Sequence, residues 1–248
     1  MGSKFVRHES CPKCGSQDNL ARYSDGHAVC FSGGCNHYEK ATGQVSNITP
    51  IRARSLEMTG VVAAIPDRRI SQTISQKYGV TVEYNAQGQI VKHHYPYHDK
   101  DSGSPIGTKV RIVDNKSFYS TGEFNNVGLF GQHAFKGGGK YVTITEGEAD
   151  ALAVHEMFDG KWPVVSIRSG ATGASKDIKE NLEWLESFEN VVICFDNDKA
   201  GQEAAKSVLD LFTPNKAKNV TLPMKDAGDM LKANKVQAFV REWWNAKT

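Results

Sequence analysis

The chain has 248 residues, with 39% hydrophobic and 23% charged residues and a formal net charge of +2. That length accommodates one large domain or two smaller ones, and so mild a basic balance leaves any nucleic-acid reading to local patches. The longest apolar run, VVAAI at 61–65, is far short of a membrane span. MGSKFVRHES lacks the apolar stretch of a signal peptide and, with Val6 where Ser or Thr is needed, misses the myristoylation pattern; the expectation is a cytoplasmic protein.

Four of the five cysteines fall in the first 35 residues. Cys11 and Cys14 form a CxxC knuckle, and Cys30 and Cys35 a second, longer one. In a reducing compartment such clusters point to metal before disulfides. Two thiolate pairs one hairpin apart complete a tetrahedron for one structural Zn²⁺. ARYSDGHAVC supplies the hairpin, with Asp25-Gly26 as its turn. The long second knuckle leaves His37 as a rival to Cys35, and ligand type favours the thiolate. So short a segment has almost no core, so the metal contributes most of its folding energy. Tyr23, Asp25, His27, Phe31, His37 and Tyr38 offer a polar, aromatic surface suited to splayed bases; the plainer alternative packs Phe31 and a tyrosine on the knuckles.

KATGQVSNITPIRARSL (40–56) carries Gly, Ser, Asn and Pro with few large apolar residues, as a flexible linker does. Beyond it, 65–80 predicts a short helix ended by Gly79, and 89–98 and 105–113 alternate like strands. From Tyr141 onward strand and helix alternate: strands at 141–145, 162–167, 190–195 and in AKNVTL, a glycine-bearing loop SGATGAS, and helices between and after. This implies a parallel sheet with helices on its faces, and such sheets bind ligands beyond the carboxyl ends of their strands.

Acids gather at that edge. Glu146 follows one strand, Asp196 and Asp198 another, and Asp226 a third. Like charges so close call for a cation between them, and carboxylates without nearby His or Cys suit Mg²⁺ or Mn²⁺. The alternatives are local. Asp198 can simply cap a helix, and Glu148 and Asp150 are favourable at a helix start for dipole reasons alone. Arg168 faces either a phosphate or solvent. His93, His94 and His98 lack a metal-like partner set, Cys194 reads as a buried strand residue, and Trp243 and Trp244 as helix packing.

TEGEAD and FDNDKAG at successive strand ends resemble the Toprim domain of bacterial-type primases, topoisomerases, some nucleases and RecR-type recombination mediators. The fuller order is a four-cysteine ribbon containing SDGH, then KVRIVDNKSF, GLFG, EGEAD, FDNDKAG and LPMKDA. It resembles the primase half of the bifunctional primase–helicases of short-tailed phages over nearly the whole chain. No GxxxxGK[ST] occurs, so the ATP-driven motor is not in this sequence; it is a fragment cut before a helicase or a separate primase.

The resemblance implies an α/β fold: a Toprim-type parallel sheet with helices on both faces, preceded by a small α+β subdomain and an N-terminal zinc ribbon. The divisions are a ribbon at 1–41, a linker at 42–60, a subdomain at 61–138 and the Toprim subdomain with closing helices at 139–248. It implies RNA primer synthesis on a single-stranded DNA template, in the host cytoplasm if phage-encoded, with a helicase (covalent or separate) and a DNA polymerase as partners. Glu146, Asp196 and Asp198 then hold two Mg²⁺ or Mn²⁺ ions, with Glu148, Asp150 and Asp226 completing the cluster. Lys109 and Lys116 are catalytic cations. Arg111, with Arg168, meets the phosphates of the nucleoside triphosphates, and Tyr23, Asp25 and His27 meet the template. The second hypothesis is a non-catalytic, RecR-type DNA-binding adaptor. A Toprim nuclease or topoisomerase is a third, without an evident nucleophilic tyrosine context.

Overall fold

The computed structural model describes residues 3–16, 19–32, 35–41, 55–56 and 58–248, in two compact units, Met1–Arg54 and Ser55–Thr248. Most of the linker expected at 42–60 lies outside the described residues. The first unit is an antiparallel sheet of β1 (Phe5–Glu9), β2 (Leu20–Tyr23), β3 (Ala28–Cys30) and β4 (Tyr38–Glu39), in that order. Among the described residues its buried apolar cluster is Cys11, Leu20, Ala28, Cys30 and Cys35. Arg22 ties the sheet together by pairing with Glu9 and Glu39, each at 2.8 Å.

The second unit begins with a 3-10 turn at Pro66–Arg68 and α1 (Gln72–Tyr78). Ser71 caps α1 by accepting from the Ile74 N–H, and Gly79 closes it at φ 69°, a left-handed turn open to glycine at little cost. The single helix expected over 65–80 is therefore a turn and a helix, because Pro66 and Arg69 (φ 57°) break the first part. An antiparallel sheet follows in chain order: β5 (Thr81–Tyr84), β6 (Ile90–His98), β7 (Pro105–Ile112) and β8 (Phe118–Gly122).

The rest alternates: β9 (Gly139–Thr145), α2 (Glu148–Met157), β10 (Val164–Ser166), α3 (Gly170–Lys179), α4 (Leu182–Glu186), β11 (Phe188–Cys194), α5 (Lys199–Leu209), β12 (Ala217–Asn219), α6 (Ala227–Lys232) and α7 (Val236–Trp244). The four strands form one parallel sheet in the order β10-β9-β11-β12. Side-chain alternation divides its faces. Val142, Ile144, Val191 and Ile193 pack with residues of α3, α4 and α5. Val192 and Cys194 pack on the other face with α2, α6, α7 and the aromatic residues of β6. Helices thus cover both faces, and Trp243 donates its indole N–H to Thr143 Oγ1 at 3.0 Å.

Two elements depart from expectation. SGATGAS is not a loop throughout, since α3 starts at Gly170. The helix expected beyond it breaks near Asn181, whose amide donates to the Asp177 carbonyl at 2.7 Å. Asn side chains compete in this way for backbone groups. Phe130, fully buried, bridges the two sheets: its backbone pairs with Ser166 of β10, and its ring packs against Tyr78 of α1 and Tyr95 and Tyr97 of β6 at 5.5, 5.7 and 5.9 Å. Phe130→Ala is expected to lower stability by about 3–5 kcal/mol in urea unfolding; a loss below about 1 kcal/mol would show that this aromatic cluster does not join the sheets.

Candidate active site and metal centre

In the first unit the four cysteine sulfurs all lie within 4.8 Å of one another. Cys11 and Cys35 are 3.6 Å apart, and Cys14 and Cys30 3.7 Å. A tetrahedral ion with Zn–S bonds of about 2.3 Å spaces its sulfurs about 3.8 Å apart, so the set fits zinc. Ser16 at 3.3 Å holds the Cys14 thiol down to about 5, favouring the thiolate that a metal needs. Cys35 belongs to this set, whereas His37 turns its Nε2 towards Glu39 at 3.3 Å. At the β2–β3 turn the His27 ring stacks on Tyr23 with centroids 4.2 Å apart, and His27 Nδ1 meets Asp25 Oδ1 at 2.5 Å. Phe31 and Tyr38 are exposed.

In the second unit the parallel sheet delivers the acids. Glu146 follows β9 and Asp196 comes two residues after β11. Glu146 Oε1 accepts from the Ala171 N–H at 3.2 Å, and Oε2 is buried without a partner. Burial raises the Glu146 carboxyl, and the charges of Asp196 and Asp198 add to it. Asp196 is also raised, by burial, although Lys225 at 3.4 Å opposes the shift. Burial and then Asp226 push Asp150 up to about 7, against the Gly228 N–H that donates to its Oδ1 at 2.9 Å. Gly201 permits this closeness: a Cβ there would stand 2.3 Å from the Asp196 carbonyl oxygen and 3.0 Å from Glu146 Oε2.

Asp198 and Asp226 both cap helices. Asp198 Oδ1 accepts from the Gly201 N–H at 2.9 Å, and Asp226 Oδ1 from the Asp229 N–H at 2.7 Å. Asp226 does not directly follow a strand, because β12 ends at Asn219 and the chain crosses to α6 first. The acids are more widely spaced than the four thiols, the one compact ligand set among the described residues. Even so, hard oxygens, an orphaned buried carboxylate oxygen and upward-shifted acids fit a divalent cation of the Mg²⁺ or Mn²⁺ kind.

A cleft of 520 Å³ is lined by Asp150, Asp196, Asp226, Asp229 and Glu148 together with Arg68, Arg111, Lys116, Lys225 and Lys232, and Glu146 and Asp198 stand outside its lining; Lys225 pairs with Asp196 at 3.4 Å and Lys232 with Asp229 at 2.6 Å. Arg111 is buried, and Lys116 sits at φ 55° on the turn before β8. Lys109 is committed to Glu148 at 2.8 Å, which also accepts from the Tyr97 hydroxyl at 2.6 Å. Arg168 is engaged within the chain: its guanidinium meets Asp177 at 3.1 Å, Glu180 at 3.6 Å and the Phe124 carbonyl at 3.1 Å. Sequence reasoning missed Arg68 and Tyr95, which join the cleft from distant segments, and Lys225, which adjoins Asp226 in LPMKDA; the double arginine at 68–69 and that motif were the local signals. His93 and His94 are buried, and His98 stacks on His133 at 3.5 Å. Cys194 and Trp243 are buried, whereas Trp244 is exposed.

Residues 143–231 match the family described as Toprim-like. The chain is 34% identical over 259 residues to a DNA helicase/primase of enterobacteria phage T3, covering 98% of this chain and 44% of that protein. It therefore spans less than half the length of that relative. The crystal structure of the primase fragment of the bacteriophage T7 primase-helicase is similar, with a TM-score of 0.71 and 31% identity over 97% of this chain and 100% of that one. So is a chain in a structure of the T7 lagging-strand DNA polymerase interacting with primase domains bound to an RNA/DNA hybrid and dTTP. There the TM-score is 0.68 and the identity 33%, over 76% of this chain and 93% of that one.

Two outcomes follow from the geometry. Cys35→Ser is expected to lower zinc content below one ion per chain and His37→Ala to leave it at one, by elemental analysis; the reverse pattern would reassign the fourth ligand. For Asp150, a folded-state value near 7 against 3.8 unfolded means that the folded chain binds the extra proton between those values. Its contribution to stability is thus greatest at low pH and declines as pH rises from about 4 to about 7. Without added Mg²⁺ or Mn²⁺, Asp150→Asn should gain on wild type in melting temperature between pH 5 and pH 8. A constant difference would contradict the burial account.

Proposed function

The chain belongs to the primase family of the phage primase–helicases, and on that premise we propose that it synthesises short RNA primers on single-stranded DNA by divalent-metal-dependent nucleotidyl transfer. The observation that carries this reading is a single cleft that gathers carboxylates and cations. Among its acids, burial pushes Asp150 up to about 7. Among its cations, buried Arg111 has no carboxylate within ion-pair distance among the described residues.

Two divalent ions about 3.5–4 Å apart would stabilise the attacking 3′-hydroxyl and the departing oxygen of an in-line displacement at an α-phosphate. Glu146, Asp196 and Asp198 would hold them, with Asp150 and Asp226 extending the set. Arg111 can clamp a phosphate bidentately, and Lys116 adds a point charge at the cleft mouth. Lys109 acts one step back, fixing Glu148 through its 2.8 Å ion pair. In the ribbon, the stacked Tyr23–His27 pair with Asp25 offers a ring face and a fixed hydrogen-bonding edge. That is the chemistry by which an unstacked base is read, so the ribbon is assigned to the template start sequence.

The partners in this reading are the single-stranded template, a replicative helicase and a DNA polymerase. The T3 relative is a helicase/primase, and in the T7 structure primase domains interact with the lagging-strand polymerase. Among the described residues no helix is long and apolar enough to cross a membrane.

The test is primer synthesis on a pool of randomised short DNA templates with labelled ATP and CTP plus the other ribonucleotides, in Mg²⁺ and separately in Mn²⁺. Wild type is expected to give short RNA products and Asp196→Asn none. Absence of product from wild type with intact zinc content and retained single-strand binding would favour the adaptor of the RecR type.

A further inference from the structure

The segment joining β10 to α3 touches the acid site at two points. Its Ala171 N–H donates to Glu146 Oε1 at 3.2 Å, and its Arg168 carbonyl accepts from Lys109 Nζ at 3.3 Å. Between these points the chain reverses through Gly170 at φ 63°, the left-handed region that glycine enters freely. The segment is held from below by Asp177, two turns into α3 and only 2% exposed.

Asp177 lines none of the acid cleft, yet its carboxylate is fully engaged. Oδ2 accepts from the backbone N–H groups of Arg168 and Ser169, each at 2.8 Å. Oδ1 accepts from the Arg168 guanidinium at 3.1 Å and the Ser169 hydroxyl at 3.2 Å. The same guanidinium reaches Phe124 after β8, donating to its carbonyl at 3.1 Å. A buried carboxylate is costly unless so satisfied, and charge-assisted bonds to backbone N–H groups are short and directional.

We propose that Asp177 is a positioning residue for Glu146. It clamps Arg168 and Ser169 so that the Ala171 N–H stays on Glu146 Oε1, which leaves Oε2, buried and unpartnered, as the atom presented to a divalent ion. Arg168 belongs to this clamp, as the strut joining it to the antiparallel sheet. The inference rests on the reading of Glu146 as a metal ligand, and it concerns residues that touch neither nucleotide nor metal.

The test is Mn²⁺ titration of the full zinc-bound chain by electron paramagnetic resonance, with thermal unfolding of each variant alongside. Wild type is expected to bind Mn²⁺, and Asp177→Asn to bind it about 10- to 100-fold more weakly, as loss of a residue that orients a metal ligand does. In a Glu146→Gln background, Asp177→Asn should add little further weakening. Equal affinity of wild type and Asp177→Asn would overturn the clamp, as would the same loss in both backgrounds, which marks general loosening. No Mn²⁺ binding by wild type would instead remove the metal reading, and the inference with it. Should Asp177→Asn not fold, the pair Arg168→Gln and Ser169→Ala is read by the same titration, weaker binding supporting the clamp and parity overturning it.

Discussion

Carboxylates at the ends of β9 and β11 and at the starts of α2 and α6 repel one another in a half-buried setting, and the site takes its form from that repulsion. An exposed ammonium such as Lys225, beside Asp196, returns at most about 1 kcal/mol. The balance is visible in the acids themselves: Glu146, Asp150 and Asp196 are all shifted towards the protonated form, with burial as the first cause in each. Such a cluster persists because the sheet and Gly201 in the first turn of α5 over-determine it, and a divalent ion is the kind of partner whose charge matches the deficit.

The two units meet the same problem with opposite ligand chemistry. In the ribbon three of the four clustered cysteines are themselves members of a five-residue core, too small to fold a sheet unaided. There a bound metal would supply stability. In the larger unit the core is extensive on both sheet faces, so the fold can carry unfavourable charge and keep it available for chemistry. Asp198 and Asp226 show how the two demands combine. Each gives one oxygen to a helix N-terminus and has a second left, so capping and metal binding do not compete.

What the sequence disclosed followed from short-range pattern. The cysteine spacing, the strand–helix alternation from 141 onward and the acids after strand ends are local signals, and the parallel sheet with helices on both faces is there. β5 and β8 escaped notice because TVEY and FYSTG are short and half exposed, with too few alternations to stand out. Arg68 and Tyr95 are illegible as cleft residues because only tertiary packing, with the 3-10 turn set against α6, brings them there. From the sequence, Arg168 faces either a phosphate or solvent. Its main partner, Asp177, lies nine residues on and is buried, and no periodicity in the sequence marks a carboxylate that folds back onto its own helix start.

The most direct measurement is anomalous scattering from crystals of the chain grown with Mn²⁺. The account predicts a manganese peak bonded to Glu146 Oε2 and a carboxylate oxygen of Asp196 or Asp198. Well-ordered acids without such a peak, or manganese bound solely elsewhere, would contradict it.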